Sequence, residues 1–176
     1  CSRIWRPSMS KILVNELGNV NGTTGMTIDG NGVVKIPQAP CFWITGNNGA
    51  YVTAAPIVFA LTKIDTRSGV DLSNNRYVVP VAGKWHFHVQ LGIVRVLGTG
   101  NCYPNIRRTA GGSATNFGYS YYNPVNGSGV LSYNSLNVDC IVQCAVGDVI
   151  DVGFSQTNAH YYNGPDECRF FGYFLG

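Results

Sequence analysis

From Lys84 to Val96 the chain alternates: Trp85, Phe87, Val89 and Leu91 fall on one side, Lys84, His86, His88 and Gln90 on the other. A period of two held over this length predicts a β-strand with one face in a core. The same pattern, or a short apolar run bounded by turn residues, predicts strands over 41–46, 50–54, 56–64, 76–81, 84–97, 103–110, 114–122, 129–145, 148–156 and 168–175. Turn-favouring clusters separate them, among them Gly46 to Gly49, Ser73 to Asn75, Gly98 to Asn101 and Asn126 to Gly129. No window keeps a helical period beyond about two turns. Many short strands joined by Gly- and Asn-rich turns predict an all-β, antiparallel jelly-roll sandwich. The aromatic run Phe170 to Leu175 reads as a central strand beside Cys41 to Ile44, so its removal is expected to destroy the fold.

The 176 residues fit one domain with a short appendage, and 45% of them are hydrophobic. Only 12% are charged, about half the usual share. The surface is therefore built from Asn, Gly, Ser, Thr and Tyr, neutral and rich in hydrogen-bonding groups. A net charge of +3 without basic runs, the densest being the pair Arg107 and Arg108, leaves no electrostatic footprint for nucleic acid. The longest apolar run, Pro56 to Leu61, falls far short of the roughly 20 residues that span a bilayer, and no export signal is visible.

Six cysteines, at 1, 41, 102, 140, 144 and 168, could suggest three disulfides. Cys140 and Cys144, however, share a strand face about 13 Å apart, too far to bridge, and buried free thiols are expected. His86 and His88 could complete a zinc site with this pair, but a C-x3-C spacing is not a metal knuckle. No metal or cofactor is expected. Asp148 and Asp151 are the closest acidic pair of interest, yet three apart on a strand they face opposite ways and cannot share a reacting bond. Nucleophile elbow, HExxH and P-loop motifs are all missing, so no enzyme is expected. His86 and His88 read as a polar sheet face or subunit contacts, and His160 as a loop residue. The sequons at Asn21 and Asn126 read as turn sequences.

Three ordered blocks carry a family resemblance: Val79 to Phe87, with Pro80, Gly83, Trp85 and Phe87; Asp139 to Asp148, ending in Gly147 and Asp148; and Phe170 to Leu175, with Gly172 and Phe174. Together with Phe42 they resemble the globular domain of complement C1q and its tumour necrosis factor relatives over roughly 41–176. The resemblance implies a ten-stranded jelly roll, a tight homotrimer, and a three-fold axis lined by the sheet holding the first and last strands. It also places Cys140 and Cys144 at apolar core positions. The family's calcium sites do not carry over, since no carboxylate cluster matches.

Residues 1–40 differ in character, with short apolar pieces broken by Gly22 to Gly25 and Asp29 to Gly32 before Val33 to Pro37. This stalk-like stretch, feeding a C1q-like knob over 41–176, resembles bacteriophage tail-fibre and head-fibre proteins. That resemblance implies a non-enzymatic virion protein assembled in the host cytoplasm, holding other virion proteins through residues 1–40 and a glycan or protein of the host surface through the knob. A secreted C1q-type, lectin-like recognition protein is the alternative. Within the knob, the run 116–129 with Tyr119, Tyr121 and Tyr122, and Tyr133 nearby, has the composition of a binding loop. Tyr supplies a rigid amphipathic face and Gly, Ser and Asn supply adaptable hydrogen bonds. Cross-strand aromatic pairing is the competing explanation of the same residues.

Overall fold

A computed structural model describes residues 16–18, 24–28, 30, 31, 33–35, 39–46, 51, 52, 56–96, 103–120, 134–154 and 159–176. The chain divides into two compact units, Cys1–Gln38 and Ala39–Gly176. In the first, strands β1 (Glu16–Gly18), β2 (Thr24–Ile28) and β3 (Val34–Lys35) form an antiparallel sheet in that order. The chain thus folds back on itself here, because turn-formers such as Gly30 and Asn31 sit between short apolar pieces too brief to run on.

The second unit holds the predicted sandwich. Its strands are β4 (Cys41–Thr45), β5 (Tyr51–Val52), β6 (Leu61–Asp65), β7 (Val70–Asp71), β8 (Arg76–Val78), β9 (Gly83–Val96), β10 (Pro104–Ala110), β11 (Ser113–Tyr119), β12 (Asn134–Cys144), β13 (Val149–Phe154), β14 (Ala159–Tyr162) and β15 (Cys168–Phe174). One sheet runs β11-β10-β13-β8-β7; the other runs β5-β14-β9-β15-β4-β6, with β12 on the free side of β9. Each of the ten predicted segments overlaps one strand.

Three local readings need correction. Residues 57–60 are apolar, and Ile57 and Phe59 are buried, yet they form no ladder. Their amides donate instead to Val152 O, the Tyr161 hydroxyl, Asn75 Oδ1 and Thr45 O. His160 lies in strand β14, opposite Arg95, and not in a loop. Strand β7 is two residues long and was hidden inside a turn-rich stretch.

The core lies between the sheets and is largely aromatic. Phe42 stacks on Tyr77 with ring centroids 3.8 Å apart and meets Phe170 edge-on at 4.9 Å. Trp85 stacks on Phe87 at 5.9 Å, takes the edge of Phe174 at 5.6 Å, and donates its indole N–H to Val81 O. All the inward side chains of β9 named above are fully buried. Each such side chain contributes roughly 1.5–3 kcal/mol. Strand β15 pairs with β9 on one side and β4 on the other, so the terminal aromatic run is a central strand, and the backbones of Leu175 and Gly176 bond to Lys84. Gly147 and Asp148 close the β12–β13 turn: the Asp148 carboxylate accepts the Ala145 amide at 2.8 Å and pairs with Arg108 at 3.1 Å.

Candidate recognition site

Two surfaces of the sandwich carry exposed aromatic side chains, one on each sheet. On the five-stranded sheet, β10 and β11 form a hairpin in which Ile106 faces Phe117 while Asn105 faces Tyr119, so Gly118 is an extra, unpaired residue. Such a bulge reverses which face the next side chain takes. Without it Tyr119 would follow Phe117 toward the core; with it, Tyr119 joins Asn105 on the outer face and is 73% exposed. Only glycine serves at this position. Gly118 has φ +63°, and a Cβ there would come within 2.9 Å of Val138 Cγ1 and 3.1 Å of Asp139 O.

Tyr119 meets Tyr103 edge-on, centroids 6.0 Å apart. These two rings, with Asn105 and Asn116, line an open cleft of about 340 Å³. Asn105 is nearly buried and forms its inner end, and Gly153, opposite it on β13, adds no side chain to fill the space. The next row along the hairpin is Asp151, Arg107 and Asn116. Arg107 clasps Asp151 with two bonds, of 2.8 and 2.7 Å, which raises the guanidinium's proton affinity and cancels both charges beside the cleft. Asp148 and Asp151 therefore serve separate arginines and share no site.

Of the predicted tyrosines, Tyr119 lies in this cleft, while Tyr121, Tyr122 and Tyr133 lie outside the described residues. Tyr103 and Asn105 were not singled out as partners of Tyr119. The glycine inside the β11 pattern was the available signal, since an isolated Gly in a strand marks a bulge.

On the outer face of the other sheet, the registers place Asp139, His88, Phe171, Trp43 and Ile64 in one row across β12, β9, β15, β4 and β6. Ile141, His86, Tyr173 and Cys41 form the row beside it. Asp139 Oδ1 lies 2.8 Å from His88 Nδ1 and 3.2 Å from His86 Nε2. His88 stacks on Phe171 at 4.7 Å and His86 tilts against Tyr173 at 4.9 Å. A groove of about 410 Å³ runs along Cys41, Trp43, Ile64, Phe171 and Tyr173. Ile64, Ile141 and Tyr173, 44%, 63% and 42% exposed, all lie on this face. An isoleucine between Asp139 and Gln143 on the outward side of β12 was the sequence signal for it.

The zinc alternative fails on geometry, because His86 and His88 point outward while Cys140 and Cys144 lie on the core side of β12, where Cys144 is buried. No group of three or more His, Cys, Asp or Glu suited to a metal occurs among the described residues. Cys41, Cys140, Cys144 and Cys168 are free thiols. Burial pushes Cys140 and Cys168 up to about 12 and Cys144 up to about 11, so these three stay protonated and are poor nucleophiles.

The two sheets, their order and the central terminal strand define a C1q/TNF-like jelly roll. The Eiger TNF of S. frugiperda superposes with a TM-score of 0.68 at 13% identity, covering 78% of this chain and 93% of that one. Murine APRIL gives 0.62 at 15% identity, with 78% and 100% covered. The globular domain of a zebrafish complement 1qA protein gives 0.58 at 11%, with 79% and 98% covered. At such identities the likeness is one of fold. No family model matches the chain, and no curated protein matches it by sequence.

Proposed function

We propose that this chain is a non-enzymatic recognition knob that works as a homotrimer, its subunits meeting through the outer face of the seven-stranded sheet. The observation that carries this reading is the double row of Trp43, Ile64, Phe171, Tyr173 and Ile141 across that face, an apolar aromatic patch with no covering element of its own chain among the described residues. A broad apolar face of this kind can be buried in a closed three-fold ring, where one part of it meets a different part of the next subunit head to tail. The sheet that carries it is the one the sequence resemblance sets against a three-fold axis. We further propose a place in a bacteriophage virion, as a tail-fibre or head-fibre knob that attaches the particle to its host through the opposite sheet. The small β-rich unit ahead of the knob supports this reading, as the part free to hold other virion proteins.

Sedimentation tests the assembly. The wild-type chain should run as a trimer at micromolar concentration, and Phe171→Glu should run as a folded monomer, since burying a carboxylate at the centre of the row is costly even with Arg169 lining the groove and His88 beside it. A wild-type chain that stays monomeric with a native β-sheet spectrum overturns the trimer. Cryo-electron microscopy of intact particles tests the location, and particles lacking a knob of this shape overturn it.

A further inference from the structure

We infer that the cleft between Tyr103 and Tyr119 is a carbohydrate site for a neutral hexose ring, with Tyr119 as its stacking platform. The inference rests on the recognition reading above and names the ligand class. It begins with exposure. A tyrosine ring left 73% open at a bulge that only glycine can make is turned away from the core that would otherwise hold it. Its face is apolar and polarisable, matching the axial C–H groups of a pyranose, and the Tyr103 ring stands at right angles to it at 6.0 Å as a side wall.

The polar groups fit the same ligand. Asn105 and Asn116 each bring a carbonyl oxygen and an NH2 group, so each can both accept from and donate to neighbouring hydroxyls, the pairing that vicinal sugar hydroxyls offer. The inner amide, Asn105, is nearly buried and fixed by its strand, which gives orientation without an entropic cost on binding. A volume of about 340 Å³ lies at the small end of the range for ligand pockets and suits one or two rings.

Charge decides between sugar classes. The charged pair in the adjacent row, Arg107 and Asp151, is bonded to itself through Nε and Nη2, so the guanidinium charge is already matched by a carboxylate and gives only a weak hold on a sialic acid carboxylate or a phosphate. A neutral hexose is therefore favoured over an acidic one. The cleft belongs to the sheet opposite the proposed subunit interface, so all three copies in a trimer stay open. Three weak sites on one particle then act together by avidity.

The test uses the whole chain, with methyl glycosides of glucose, galactose, mannose and N-acetylglucosamine as probes in saturation-transfer NMR, and the same sugars immobilised on an array. At least one neutral glycoside should show transfer. Tyr119→Ala should cut array retention about tenfold, Asn116→Ala several-fold, and Tyr119→Phe should keep it within about twofold, because the ring does the stacking. Sedimentation of each variant must match wild type. Absence of transfer to every neutral glycoside, selective retention of sialylated or phosphorylated sugars, or a Tyr119→Ala protein that binds as wild type each overturns the site. A trimer that adheres to bacterial cells independently of Tyr119 overturns the site and leaves the recognition reading standing. A monomer whose sugar binding is lost in Tyr119→Ala supports the site and overturns the assembly.

Discussion

Gly172→Ala is the sharpest test of the packing around β15. Gly172 sits on the core side of that strand, and a Cβ there would lie 2.6 Å from Phe87 Cδ1 and 2.7 Å from Phe42 Cε1. Carbon atoms in contact prefer about 3.5–4.0 Å, so each ring would have to retreat by roughly 1 Å. Neither can do so freely. Phe87 is fully buried against Trp85, Phe42 and Phe170, and Phe42 is pinned between Tyr77 and Phe170. Inserting one methyl into a filled core typically costs about 1–3 kcal/mol, and with two immobile rings the upper half is expected, about 2–3 kcal/mol. Urea unfolding followed by tryptophan fluorescence measures it, at one fixed protein concentration because assembly shifts apparent stability. Phe87→Leu removes the nearer ring edge and should itself cost roughly 1–2 kcal/mol through lost burial. In the double variant the alanine methyl fills part of the space the ring leaves, so the two costs should fall short of additive by at least about 1 kcal/mol. A Gly172→Ala protein within about 0.5 kcal/mol of wild type, or strictly additive variants, would refute the reasoning.

Two tyrosines should respond oppositely to loss of the hydroxyl. Tyr161 accepts the Val58 amide at 2.8 Å, so Tyr161→Phe strands a backbone donor and should cost about 1–3 kcal/mol, whereas the buried Tyr77 hydroxyl has no hydrogen-bond partner among the described residues and Tyr77→Phe should lie within about 0.5 kcal/mol of wild type. Thermal melts of the pair check this; equal losses would show that the Val58 bond carries nothing. Alkaline pH gives a second handle, because burial raises Cys140 and Cys168 from 9.0 to about 12, Cys144 to about 11 and Tyr161 from 10.0 to about 12. The unfolded chain then releases these protons first, so stability should be level below about pH 9 and fall as pH rises from there towards about 12. Melts between pH 7 and about 11 read the trend, and thiol alkylation in the folded protein at pH 8 should be slow for these three cysteines. Fast labelling of Cys168 would show that its burial has been misjudged.

The alternation along β9 and the aromatic run of β15 were legible in the chain, because the pleat sends successive side chains to opposite faces and a half-buried strand must show that in its residues. Trp85, Phe87 and Phe170 are core for this reason, and Gly147 with Asp148 is a turn because a short carboxylate can accept a nearby backbone amide. What the chain could not show is pairing. Residues 57–60 look like a strand until Tyr161 and Asn75, distant in sequence, take their amide hydrogens. The Tyr161 hydroxyl is in turn tied to that segment through the Val58 amide. The outward rows of Trp43, Phe171 and His88 exist only through the registers of five strands drawn from across the chain. Tyr119 and Asn105 face one another through a one-residue shift in the β10–β11 hairpin, and periodicity alone would have sent that tyrosine into the core. Side-chain direction is local and can be read residue by residue, whereas register is set by which strands meet, and only the folded sandwich decides that.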